Sequence, residues 1–495
     1  MKKYRYNPHL FEINAVLFLK RMQKKYHKKK LTLLDIPDIE WQTIADQGFN
    51  FIWLMGVWKR SLGAHQWALS DPNLRNFMKS TYSRYTKEDI IASGYAIYDY
   101  SLDPLLGDSS DLVLLKGKLN KMGIFLILDF VPNHLAFDHP WTLAHPGRFI
   151  RGTAKSCKKY PDVFFQTKKN MYLAHGKDPN FVPWIDTVQI NFFTKLAREA
   201  LLQELRCIAM VCDGVRCDMA MLVLNEIFHK TWSPYIELGE LPKTEFWQDA
   251  ITEIKREHPE FLFLAEVYWN REEELIKLGF DYVYDKILYD RLHYDNAESV
   301  RGHLCANMDY QQRAVRFLEN HDEQRAIELF GKDKSMAAAA IAYTVPGMRM
   351  FFDGQKKGYK VRLPIQSCKD PQEMMDLDIM SFYDKLLEFT DGDLVHEGNW
   401  QLLDCVSAWA GNGSHQEIIA SIWEYQEHKK LIVVNYSSVP AQAKILLPNM
   451  FSSQHHVIFH DIISRFSYIR ESKVLRREGL YVALDPWQPY LFEVL

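Results

Sequence analysis

Eight short apolar runs recur along most of this 495-residue chain, and no other feature constrains its fold as strongly. They are Phe11–Phe18, Phe49–Met55, Ile124–Phe130, Asp213–Asp218, Phe261–Val267, Phe280–Tyr284, Ala314–Glu319 and Met348–Asp353. Several are almost wholly apolar, the pattern of parallel strands buried on both faces. Between them lie amphipathic stretches at Ser110–Lys121, Phe192–Arg206, Thr244–His258 and Ser335–Tyr343. Eight strands with intervening helices predict an α/β fold, the (β/α)8 TIM barrel. An open doubly wound sheet alternates in the same way, but no Gly-rich phosphate turn follows the first run.

Two spacings break the alternation. Residues 131–186 are too long for a strand-to-helix loop and hold six prolines, from Pro132 to Pro183. They are expected to form an inserted domain after the third strand. Trp58–Leu106 is a second long excursion. From about Val395 the pattern becomes strand-like, with a turn at Gly411-Asn412-Gly413 and strands at Ile418–Trp423, Leu431–Val434 and Tyr481–Leu484. The expected division is therefore barrel at 1–130, insertion at 131–186, barrel again at 187–394 and an all-β sandwich at 395–495. Lys20–Lys30 carries seven basic residues, read as a solvated helix face, with an anion patch as the sharper alternative.

The formal charge is −3, which gives no electrostatic case for nucleic acid or an anionic membrane. No run reaches 18 apolar residues, and Met1-Lys2-Lys3 does not continue as a signal peptide. A cytoplasmic protein is expected, with leaderless export as the other route. Seven cysteines without a C-x-x-C pair suit a reducing compartment. Aromatics at 14% can fill a core or supply flat faces for stacking on sugars or bases.

Polar residues cluster where the predicted strands end, the rim on which a barrel builds its site. The third strand ends Asp129-Phe130-Val131-Pro132-Asn133-His134, the fourth Arg216-Cys217-Asp218, the fifth Glu266-Val267-Tyr268-Trp269, and the seventh Glu319-Asn320-His321-Asp322. A carboxylate at the tip of an apolar strand is costly unless paired or used. Arg216 and Asp218 are two apart on one strand, so they share a face and the cation should favour an ionised Asp218. Cys217 points the other way, into the helix layer, and is read as packing.

These four segments resemble the signature regions of the α-amylase superfamily of retaining glycoside hydrolases, glycoside hydrolase family 13. Gly94-Tyr95-Ala96-Ile97-Tyr98-Asp99-Tyr100 resembles that family's segment after the second strand, and Trp184–Asn191 the segment closing its inserted domain. The resemblance implies Asp218 as nucleophile, Glu266 as general acid and base, and Asp322 as the carboxylate that holds sugar hydroxyls and favours a distorted ring. It implies that Arg216 keeps Asp218 ionised, that His134 and His321 bind hydroxyls, that Tyr95 stacks on the sugar and that Asp129 braces the base of the site.

Calcium-binding members carry a Lys-His pair soon after the nucleophile, where this chain has Met221 and Leu222. Asn133 matches another ligand position, but the set is incomplete, so no metal and no cofactor are expected. Ala92 replaces the Asp of exo-acting α-glucosidases three residues before Tyr95. The resemblance thus implies a hydrolase of starch, glycogen or malto-oligosaccharides with an α-glucan as its partner. Transglycosylation or isomerisation on the same glucans is the alternative, and a non-catalytic glucan-binding protein the second.

Overall fold

The computed structural model describes residues 4–167, 169–447 and 455–495; the leader reading of Met1-Lys2-Lys3 lies outside them. Eight parallel strands close a barrel: β1 His9–Asn14, β2 Phe51–Met55, β3 Phe125–Phe130, β4 Gly214–Cys217, β5 Leu262–Ala265, β6 Tyr282–Tyr284, β7 Ala314–Arg316 and β8 Met348–Phe352. Seven of the predicted runs each contain one of these strands, and the first overlaps β1 over Phe11–Asn14. β8 pairs with β1, which completes the ring. Every residue of β2, β4, β5, β7 and β8 is buried, as strands sandwiched between a packed interior and a helical shell require.

The first run is corrected by the structure. It predicted a strand to Phe18, but β1 stops at Asn14, whose side chain accepts the Leu17 N–H and caps helix α1, Ala15–Lys25. Asn is a favoured N-cap, and the α1 residues Val16, Leu17 and Leu19 are as buried as the strand, so one apolar run spans two elements. The basic residues at its end sit in and beyond the last turn, where Lys25 pairs with Glu40.

Between β3 and the helix Lys195–Val211 the chain makes short hairpins, His134–Ala136 with Thr187–Gln189 and Phe164–Gln166 with Tyr172–Ala174. The excursion after β2 adds Trp58–Arg60 paired with Ile97–Leu102, and helices Leu62–Ser70 and Pro72–Thr81. Asp71 caps the second of these by accepting the N–H groups of Asn73 and Leu74. These two excursions form walls above the C-terminal ends of the strands.

Past the barrel, Asn399–Leu403, Ile418–Tyr425, His428–Asn435, Pro489–Val494, His456–Asp461 and Ser467–Glu471 form a six-stranded antiparallel sheet. Cys405–Ser407, Ala441–Ile445 and Leu480–Leu484 form a second sheet, and a separate core fills the space between the two. Trp423 reaches out of this unit to donate its indole N–H to the barrel carbonyl of Thr344 (2.6 Å), and Lys430 donates to Phe389 O (2.6 Å).

A buried ionic cluster ties β6 to β7. Asp285 pairs with Arg316, takes a His303 contact at 2.9 Å and caps the following helix through the Leu288 N–H. Both ionic side chains are fully buried. Asp285→Ala strands the guanidinium, and removing one partner of a buried pair typically costs about 3–5 kcal/mol. Urea denaturation of this variant should show that loss.

Candidate active site

The register of the barrel builds the site. Arg216 on β4 lies opposite Asp129 on β3 and Leu264 on β5, so its side chain enters the barrel mouth beside the ends of both strands. There it contacts three carboxylates: Asp218 Oδ1 at 2.7 Å, Glu266 Oε2 at 2.8 Å and Asp129 Oδ1 at 3.6 Å. Its guanidinium packs on Trp53 and Tyr95, 5.0 and 5.4 Å from the ring centres. Asp129 also accepts the Gly56 N–H at 2.9 Å and is fully buried, a brace below the cleft. Cys217 is fully buried in the opposite layer, and burial pushes its thiol well up.

Above this floor opens a cleft of about 510 Å3. Tyr95, His134, Asp218, Glu266 and Asp322 line it, with Trp67 and Trp184 on the walls. Eight predicted residues therefore meet in one place, from segments up to 227 positions apart (Tyr95 to Asp322). Glu266 accepts the Met219 N–H (2.6 Å) and the Tyr268 hydroxyl (2.8 Å). Met219 holds a left-handed backbone, φ 42°, directly after Asp218. Strain of this kind in a non-glycine residue persists only where the surroundings enforce it, and here it turns the N–H toward Glu266.

The carboxyls differ in ionisation. Burial pushes Glu266 up to about 7 despite Arg216, with the charges of Asp218 and Asp322 adding to the rise. Burial also raises Asp218, while Arg216 pulls it back through both charge and a hydrogen bond. The cation is thus shared between the two carboxyls rather than reserved for Asp218 as the strand spacing suggested. Asp322 is the most open, its side chain 45% exposed in the cleft. Burial would raise it, but His321 holds it at about 2.

His321 sits between acceptors. Its Nε2 is 3.0 Å from Asp322 Oδ2 and 2.9 Å from the Tyr95 hydroxyl, and its Nδ1 is 2.6 Å from Glu12 Oε1. The Tyr95 ring stacks on it at 5.4 Å. Burial opposes the charge, but Asp322 and Glu12 prevail and raise the imidazole to about 10. His134 is the reverse case: burial lowers it to about 4, so it stays neutral beside Trp184, 5.0 Å away. Sequence reasoning missed Glu12, Met219 and Tyr268 as parts of the site. The signal for Glu12 was present, a carboxylate interrupting an apolar strand.

The residues around Asn133 do not fit calcium. Asn133 O, Asn133 Oδ1 and Ile190 O converge on Gln189 Nε2 at 2.8, 2.9 and 3.1 Å. An amide donor thus occupies the point where three carbonyl oxygens would meet a cation. The flipped amide would set oxygen against oxygen, so the orientation follows from the contacts. Asp178 is committed to the N–H groups of Asn180 and Phe181. Among the described residues no three His, Cys, Asp or Glu side chains gather as a metal would need. Treatment with a chelator is expected to leave activity and thermal midpoint nearly unchanged; a fall of many degrees restored by calcium alone would contradict this.

The family model described as "Alpha amylase, catalytic domain" matches residues 42–194. That matched stretch is similar to α-amylase catalytic domains, the family that the sequence resembles. Among curated proteins, the chain is 23% identical to Alpha-amylase 3 of Dictyoglomus thermophilum, across 59% of this chain and 58% of that protein. It is also 23% identical to Alpha-amylase MalA of Haloarcula japonica, across 72% of this chain and 49% of that protein. The chain thus spans about half the length of the curated relatives it matches. Among solved structures, the noncanonic maltogenic alpha-amylase AmyB from Thermotoga neapolitana superposes with a TM-score of 0.68 at 18% identity, covering 99% of each chain. That likeness is one of fold and extends over both the barrel and the C-terminal sheets.

Proposed function

We propose that the protein is a retaining α-glycosidase of the α-amylase type, acting on α-glucosidic bonds of starch, glycogen or malto-oligosaccharides. One observation carries the reading: Arg216 bonds Asp218 and Glu266 at once, holding the two carboxyls side by side under the cleft. Retention uses a pair about 5–5.5 Å apart, and inversion needs a wider gap with room for water. Similarity to α-amylase catalytic domains supports the substrate class, and the aromatic walls at Trp67, Tyr95 and Trp184 suit sugar faces.

In this reading Asp218 attacks the anomeric carbon while Glu266, protonated below about 7, gives its proton to the leaving oxygen. The glycosyl ester on Asp218 is then opened by water, with Glu266 now taking the proton. Asp322, anionic under His321, binds hydroxyls of the reacting sugar. Transfer to a sugar hydroxyl would use the same residues, differing only in which acceptor opens the ester. Chromatography of products from maltoheptaose and from glycogen tests the proposal. Shorter maltosaccharides support hydrolysis, longer ones transfer, and unchanged substrate with measurable binding would leave a glucan-binding protein. No helix among the described residues is long and apolar enough to cross a membrane.

A further inference from the structure

Glu12 contacts His321 below the cleft, and the roles above leave it unused. It sits mid-strand in β1, fully buried among apolar neighbours. Its Oε1 takes both the His321 Nδ1 contact at 2.6 Å and the His321 backbone N–H at 3.3 Å. Its Oε2 is buried and has no hydrogen-bond partner among the described residues. A buried carboxylate with one oxygen unsatisfied is expensive, and fold alone does not require it, because β1 would close the barrel as well with an apolar residue there.

We propose that Glu12 is a positioning residue that holds His321 as an imidazolium, with Nε2 aimed at Asp322 and at the hydroxyls of the sugar bound in the cleft. Both ring nitrogens face acceptors, so both must donate, and neither neutral tautomer can do that. Without the charge on Glu12, the imidazolium would depend on Asp322 alone, an open side chain that substrate must also engage. With it, the ring is clamped from below, stacked by Tyr95 and edged by Trp53, 5.5 Å away. The consequence for catalysis rests on the glycosidase reading; the consequence for the ionisation of His321 does not.

The substitution leaves in place the other groups that face this ring. They are Asp129 from β3, Arg216 and Asp218 from β4, Asp322 beyond β7 and the phenol of Tyr95, with Arg362 acting on Asp322. Tyr284 from β6 is electrostatically coupled to Glu12 and Arg216. Loss of one adjacent opposite charge typically moves a titration by about 1–3 pH units. For His321 the move is downward, because its charged form loses a partner, so Glu12→Gln brings its deprotonation toward neutral pH.

The test is histidine-labelled NMR of the full chain, with His321 assigned by its loss in H321Q. In the wild type the His321 signal should remain that of an imidazolium through pH 8, and in E12Q its midpoint should fall by about 1–3 pH units. With maltoheptaose, E12Q should lose activity increasingly as pH rises, reaching about tenfold in kcat/KM by pH 8, and E12D should recover part of it. In the H321Q background E12Q should cost almost nothing more, since Glu12 acts through that ring. A wild-type His321 that titrates between pH 5 and 8 overturns the proposal without any variant. Losses that add in the double variant, or that are equal at every pH, overturn it as well. If no glucan is turned over at all, the glycosidase reading fails while the NMR result still decides this one.

Discussion

Asp218→Asn is expected to lose about 10^4-fold or more in kcat on malto-oligosaccharides while keeping its fold. The amide is nearly isosteric and can still contact Arg216 through its oxygen, but it cannot form the ester on which a covalent route depends. The change removes one of three carboxylates from a single guanidinium, and Arg216 retains Glu266 at 2.8 Å and Asp129 at 3.6 Å. Thermal midpoint and circular dichroism should therefore stay close to wild type. A purified variant with more than a few per cent of wild-type turnover would show that the nucleophile lies elsewhere.

Glu266→Gln should divide its effect by substrate. General acid–base catalysis contributes typically about 10^2–10^4-fold, so a natural glucan, whose leaving group is a poor one, should lose about that much. An aryl glycoside with an acidic phenol needs little protonation for the first step and should lose far less of it. Because the base for the second step is also gone, glycosyl-enzyme should accumulate and appear as a burst of phenol. The pH profile carries the sign. Burial holds Glu266 protonated up to about 7, so wild-type kcat/KM should fall as pH rises through that value. The Gln variant should lack this descending limb. Equal losses on both substrates without a burst would remove Glu266 from the acid and base role.

Much of this was legible along the chain. Seven of the eight barrel strands fall within an apolar run and β1 overlaps one, because a strand buried on both faces needs little but apolar side chains. The chemistry was legible too, since Asp129, Arg216, Asp218, Glu266, His321 and Asp322 stand at strand ends, where polar residues break an otherwise apolar pattern. The boundary between β1 and α1 was not, because Ala15–Leu19 is as buried in a helix as it would be in a strand, and only the Asn14 cap marks the change. Met219 also gave no signal, as its contribution is a backbone N–H turned by a left-handed φ.

The sequence by itself determined where the barrel strands lie to within a few residues, which residues are candidates for the site and the order in which they come. Only the tertiary structure decided how charge is distributed among them. One cation two residues from Asp218 pointed to an ion pair along a strand. Barrel closure instead brings β3, β4 and β5 so close that Arg216 serves Asp129, Asp218 and Glu266 together. Glu12 and His321, 309 residues apart, meet because β1 and β7 both pack against β8. Electrostatic interaction depends on distance and on the exclusion of water, and neither is set by position along the chain.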